Sequence, residues 1–243
     1  MTLANVDAAE DELAARLARV RARISEAARR SGRADRDVTL IAISKTHPPP
    51  VVTSLIELGA TDVGENRVQE AEEKIARVGR DKARWHLVGH LQANKARRAV
   101  VLFDVIHSLD SIDLARRLNR LCVEEGTKSL PVLIQVDLGH EETKSGVDES
   151  ELAPLIDGLA TLTQLQLIGL MTLPPFFENP EDNRVFFRRL RELRDELASR
   201  GVFGDRKGEL SMGMTHDFEV AIEEGATMVR IGTAIFGERV ARH

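Results

Sequence analysis

The chain has 243 residues, with 34 Lys and Arg against 39 Asp and Glu and a formal net charge of −5. That balance excludes a nucleic-acid protein that works by bulk electrostatics, and an apolar content of 42% excludes a disordered chain. A single cysteine, Cys122, excludes an internal disulfide and a multi-cysteine metal site, and the absence of tyrosine excludes a tyrosine acid or base.

The opening segment MTLANVDAAEDE is acidic and lacks the apolar centre of a secretion signal. No apolar run along the chain is long enough to span a bilayer, so a soluble, cytoplasmic protein is expected. Asp7 to Arg30 reads as an amphipathic helix, with Leu13, Leu17, Val20, Ile24 and Ala27 at helical spacing and Ser31-Gly32 as the stop. Val38 to Ser44 is nearly continuous in apolar residues, as in a strand buried on both faces. Pro48 to Leu58 then reads as a helix with Pro in its opening turn and Gly59 after its end.

Further strands are expected at Asp62 to Gly64, Arg84 to Val88, Val105 to His107 and Pro131 to Asp137. Leu165 to Gly169, Glu209 to Ser211 and Met228 to Ile231 complete the set. Helical patterns separate them. The clearest begins at the cap Asn179-Pro180, carries Phe186, Leu190, Leu193 and Leu197 as its buried stripe, and ends at Gly201. Eight strands, each followed by helix or by the C-terminal segment, predict an α/β fold: a single (β/α)₈ TIM-type barrel with an extra N-terminal helix. No low-complexity linker divides it, so residues 1–243 read as one domain, with the helix in 1–34 and the barrel core in 38–237.

Barrels of this kind gather function where strands end and the following loops begin. Lys45 directly follows an apolar strand, which would carry its amine to the barrel mouth. Partial desolvation there lowers an amine's pKa and makes it a nucleophile toward an aldehyde; the plainer alternative is a lysine snorkelling from a strand end. Ser211-Met212-Gly213 and Gly232-Thr233 after the last two strands offer hydroxyls and close backbone N–H groups, as a phosphate cradle does. Ordinary turn chemistry would use the same residues. Arg230 stands beside that cradle, able to meet a phosphate, a carboxylate or a ring nitrogen, or to close a structural ion pair.

The histidines do not suggest a metal. His86 falls in a strand and His90 in a loop, and His47, His107, His140 and His216 scatter over four loops. Cys122 lies in a helical pattern as a buried, inert thiol. The arginine pairs Arg29-Arg30, Arg97-Arg98, Arg116-Arg117 and Arg188-Arg189 read as solvated helix faces.

Seven segments in order carry a wider pattern: AISKT around Lys45, GENRVQE around Asn66, WHLVGHLQANK from Trp85, EETKSG around Lys144, GLMTLP around Met171, LSMGMTHDFEVAIEEGAT from Leu210 and VRIGTAIFG from Val229. Over roughly Val38 to Gly237 the chain resembles the pyridoxal 5′-phosphate homeostasis protein family, which is similar in fold to the barrel domain of bacterial alanine racemases. The resemblance implies that Lys45 holds pyridoxal 5′-phosphate as a Schiff base. It implies that Ser211, Gly213, Gly232 and Thr233 surround the phosphate, that Arg230 faces the pyridine nitrogen and that Asn66 lines the pocket.

The function so implied is vitamin B6 homeostasis, by buffering or delivering the cofactor without efficient catalysis. Apo enzymes that use pyridoxal 5′-phosphate would be the recipients, and neither nucleic acid nor membrane would be a partner. A closed barrel has no edge to bury, so a monomer is expected. An arginine at the ring nitrogen makes the ring a poorer electron sink, and no tyrosine can act as the opposite-face base of a racemase. Two alternatives stay open: a weak amino-acid racemase or related enzyme, and a cofactor-free barrel enzyme acting on phosphorylated sugars. Two departures from the resemblance are Arg67, where many members have an aromatic, and Asp137, where Asn is commoner; Lys144 is assigned no role.

Overall fold

Strands rich in apolar residues on both faces need cover on both, and a closed barrel wrapped in helices provides it. The computed structural model describes residues 3–140 and 145–237, and of residues 3–9 the backbone alone. Eight parallel strands pair in chain order and close on themselves: β1 (Thr39–Ile43), β2 (Asp62–Glu65), β3 (Arg84–Leu87), β4 (Val105–Leu109), β5 (Leu130–Gln135), β6 (Leu165–Met171), β7 (Glu209–Met214) and β8 (Met228–Ile231). The ring shuts where Ile41 of β1 pairs with Arg230 of β8. This is the expected α/β barrel.

Alternation along each strand divides the core in two. Ile41, Ile43, Val88, Val105, Leu133, Ile168, Met171 and Met228 form a compact cluster inside the barrel. Their strand neighbours, such as Ala42, Val63, Trp85, Ile106 and Val229, join a larger core beneath the helices. Those helices are α1 (Leu3–Arg30), α2 (Pro49–Glu57), α3 (Val68–Val78), α4 (Ala96–Leu102), α5 (Ile112–Glu125), α6 (Leu152–Leu159), α7 (Arg184–Ser199), α8 (Phe218–Glu223) and α9 (Thr233–Phe236).

The helices after the last two strands are short, and α1 makes up the missing cover. Its predicted stripe, Leu13, Leu17, Val20, Ile24 and Ala27, is buried against α8 and α9. Arg23 grips Glu219 of α8 with two bonds, at 2.9 and 2.7 Å. Arg21 donates to the carbonyls of Leu58 and Gly59 at the end of α2. The extra helix is thus a staple that holds the last barrel units to the first.

Two sequence expectations need correction. In α7 the buried aromatic is Phe187, and Phe186 is half-buried beside Phe177. Phe187 shares the inner face with Leu190, Arg194 and Leu197, three, seven and ten residues further on and all buried. His107 is inside β4, fully buried, and not on a loop.

Candidate functional site

A cavity of about 600 Å³ opens at the C-terminal mouth of the barrel, with Lys45, Asn66, Arg230, Gly232 and Thr233 on its wall. Lys45 reaches it by parity: Ile41 and Ile43 point into the barrel, and the next residue of that parity is Lys45. The turn beyond is tight. The His47 N–H donates to the Ser44 carbonyl at 3.0 Å, and Thr46 has φ of 68°, a left-handed conformation costly for a β-branched residue. The Thr46 N–H donates to a carboxylate oxygen of Glu70 at 3.1 Å, which helps hold that conformation.

Beneath the turn lies a buried ion pair. Lys74 of α3 donates to Glu65 Oε1 at 2.5 Å and to the Ser44 carbonyl at 2.6 Å. The Ser44 hydroxyl also donates to Glu65. Burial pushes the Glu65 carboxyl above its ordinary range, and the Lys74 charge opposes that shift. The backbone that carries Lys45 is therefore fastened from below by a carboxylate and an ammonium that are both out of water.

Arg230 is 3% exposed on the cavity floor. Its Nη1 donates to Ser211 Oγ at 2.6 Å and its Nη2 to the Thr172 carbonyl at 2.9 Å. Neither partner is a carboxylate. Burial lowers its pKa to about 10, which leaves the guanidinium charged at neutral pH. Ser211 Oγ lies 2.9 Å from His107 Nδ1, His107 Nε2 lies 2.9 Å from His86 Nδ1, and His86 Nε2 lies 2.8 Å from Asp62 Oδ1. These residues come from β8, β7, β4, β3 and β2. Strands β4 and β7 are not neighbours, so the file crosses the barrel interior.

Beside Arg230 the loops after β7 and β8 meet, where Ala234 N–H approaches Thr215 Oγ1 at 3.5 Å. A Cβ on Gly232 would stand 3.2 Å from the Ile43 carbonyl oxygen, so glycine allows this loop to close on β1. Gly89 does the same for the loop after β3: a Cβ there would lie 2.3 Å from the Asn66 carbonyl oxygen. That close approach sets Asn66 on the cavity wall.

Of the residues named from sequence, Lys45, Asn66, Arg230, Gly232 and Thr233 come together at the cavity. Ser211 and Gly213 do not line it. Ser211 lies fully buried under Arg230, and a Cβ on Gly213 would meet Ala221 and Phe218 of α8, away from the mouth. The register shift between β7 and β8 sets this arrangement. The hydroxyl that lines the wall there is Thr215, which sequence reasoning passed over although it directly follows the end of β7.

Arg67 is exposed just ahead of α3 and is not on the cavity wall. Asp137 Oδ1 accepts from the Gly139 N–H at 3.2 Å. Lys144 lies outside the described residues. Among the described residues no cluster of His, Cys, Asp and Glu could hold a metal, and no helix is long and apolar enough to cross a membrane.

Comparison with known proteins places these features in a lineage. The alanine racemase N-terminal domain family matches residues 15–240. The pyridoxal phosphate homeostasis protein of Aquifex aeolicus is 46% identical over 92% of this chain and 97% of its own length. The protein of the same name from Escherichia coli K12 is 40% identical over 94% and 97%. The solved structure of PipY from Synechococcus elongatus with PLP bound superposes with a TM-score of 0.80, at 38% identity, over 93% of this chain and 100% of that one.

Proposed function

This chain belongs to the pyridoxal phosphate homeostasis protein family, and from that premise we propose that it holds pyridoxal 5′-phosphate through Lys45 and buffers or delivers it. The observation that carries the reading is the joint placement of Lys45 and Arg230 on one cavity, with Thr215, Gly232 and Thr233 lining it beside them. When bound, the cofactor supplies an aldehyde that condenses with a lysine amine to a Schiff base and releases water.

The residues fit such a group. Thr215, Thr233 and the backbone at Gly232 supply the hydroxyl and amide donors that a phosphate needs. A charged guanidinium with no carboxylate partner among the described residues suits a ring nitrogen that accepts a hydrogen bond without being protonated. That pairing leaves the ring a weak electron sink, and no tyrosine exists to return a proton from the opposite face. The chain therefore keeps the cofactor without efficient turnover, as a monomer whose closed sheet has no edge to pair, and apo enzymes in the cytoplasm receive the cofactor.

The test is transfer. Protein loaded with pyridoxal 5′-phosphate and freed of excess ligand is added to an apo enzyme that needs it, with Lys45→Ala protein carried through the same steps. The expected result is recovered enzyme activity from the wild type and little from the variant. No recovery, together with rapid D-alanine formation from L-alanine, would replace this reading with the racemase.

A further inference from the structure

The buried file from Asp62 to Arg230 has only one consistent arrangement of hydrogens when both histidines are neutral and Asp62 is charged. Burial opposes ionisation of Asp62, but hydrogen bonds from His86 and Thr61 outweigh it and keep the carboxyl below its usual range, hence charged. Burial pushes both histidines below theirs, Asp62 opposing the shift at His86, while the neighbouring His86 and Arg230 add to it at His107. A charged Asp62 accepts, so His86 carries its proton on Nε2 and leaves Nδ1 bare. His107 then donates from Nε2 and leaves its own Nδ1 bare. The Ser211 hydroxyl donates to that nitrogen, and its oxygen accepts from Arg230. Each hydrogen is used once and each acceptor is filled.

We propose that Asp62, His86 and His107 are positioning residues: they form a one-way chain of hydrogen bonds that orients Ser211 and so locks the Arg230 guanidinium in the plane in which it meets the cofactor ring. The part of this statement that concerns the ring rests on the function proposed above; the chain itself does not. The Asp62 side chain, 11% exposed at the start of β2, anchors the far end. The Thr172 carbonyl holds the second nitrogen, so the guanidinium is fixed at both Nη1 and Nη2. The file is not a proton conduit, because an arginine does not give up its proton at the receiving end. A neutral file also keeps carboxylates out of hydrogen-bond reach of Arg230, so that Asp217 acts on it only through space and does not occupy the donors that face the cavity.

The experiment is nuclear magnetic resonance on protein labelled with ¹⁵N at histidine and arginine, with His107→Phe and His107→Gln beside the wild type. The wild type should show His86 and His107 as neutral rings protonated at Nε2 at neutral pH, and a slowly exchanging Arg230 side-chain signal. His107→Phe should lose that signal and bind pyridoxal 5′-phosphate about tenfold more weakly. His107→Gln, which keeps a donor and an acceptor, should retain the signal and bind within about threefold of wild type.

Either ring protonated at Nδ1 or doubly protonated in the wild type overturns the proposal, and this holds even if the Phe variant fails to fold. An unchanged Arg230 signal and affinity in a folded His107→Phe protein overturns it as well. Correct tautomers and a locked Arg230 in a wild type that does not bind pyridoxal 5′-phosphate would refute the proposed function and leave the chain standing. Normal binding with reversed tautomers would do the opposite.

Discussion

Lys45 and Arg230 both face the cavity, and the barrel supports them by opposite means. Lys45 rides on a strained turn that is fastened from below by charge, through Glu65 and Lys74. Arg230 is held by its own side-chain bonds, through a serine and two histidines that burial keeps neutral. The difference follows from which face of the sheet each support occupies. Glu65 and Ser44 point outward to α3, where a lysine stem can reach them from a helix. The inward file has no helix to draw on and must bridge strands with short, rigid rings. Under the proposed function, a lysine that condenses with an aldehyde gains from a fixed backbone, and a guanidinium that meets a ring nitrogen gains from a fixed tip.

The sharpest way to break the comparison is to remove one charge on the Lys45 side. Glu65→Leu leaves Lys74 buried without its partner and should cost about 3–5 kcal/mol in urea unfolding. The double variant Glu65→Leu with Lys74→Met should recover most of that loss. A Glu65→Leu protein as stable as the wild type would mean that the pair does not anchor the turn.

The Arg230 side should answer to pH instead. Both histidines have depressed pKa values in the folded chain, so the unfolded chain binds more protons below its own histidine pKa, about 6.5. Stability from these groups is complete above that pH and declines as the pH falls toward the folded values. Two such protons give a slope of up to about 2.7 kcal/mol per pH unit. Urea midpoints measured between pH 7.5 and 5, values chosen to bracket about 6.5, should fall steadily, and His107→Phe should show about half the slope. A flat profile would mean that the rings titrate alike in both states.

The smallest effect concerns the turn itself. Thr46 has φ of 68°, at a cost of about 1–2 kcal/mol for a residue with a Cβ. Thr46→Gly relieves that strain and adds about 0.5–1 kcal/mol of unfolded-chain entropy. The net expectation is unchanged or slightly higher stability in thermal unfolding, where Thr→Gly ordinarily destabilises. A clear loss would place the stabilisation of the turn in the threonine side chain.

The barrel was legible because its signals are local. Apolar runs, Pro and Gly punctuation and the stripe of α1 are each read within a few residues, and Lys45 declares itself by following such a run. The inward file was not legible, since His107 and Ser211 are 104 residues apart and meet only when the ring closes. Strand parity holds the missed clue: His86 shares its parity with Val88, and His107 with Val105, both inside the barrel. Ser211 and Thr215 show the reverse case. Both are hydroxyls near the end of β7, but the strand runs on to Met214, which buries Ser211 and brings Thr215 to the rim.

The central claim is that Lys45 is the covalent anchor, and reduction tests it most directly. Wild-type and Lys45→Ala protein are each mixed with pyridoxal 5′-phosphate, treated with borohydride and mapped by peptide mass. The account predicts a visible absorption band that reduction abolishes, with one pyridoxyl group on Lys45 and none on the variant. A colourless, unlabelled wild type, or a variant labelled to the same extent at another lysine, would contradict it.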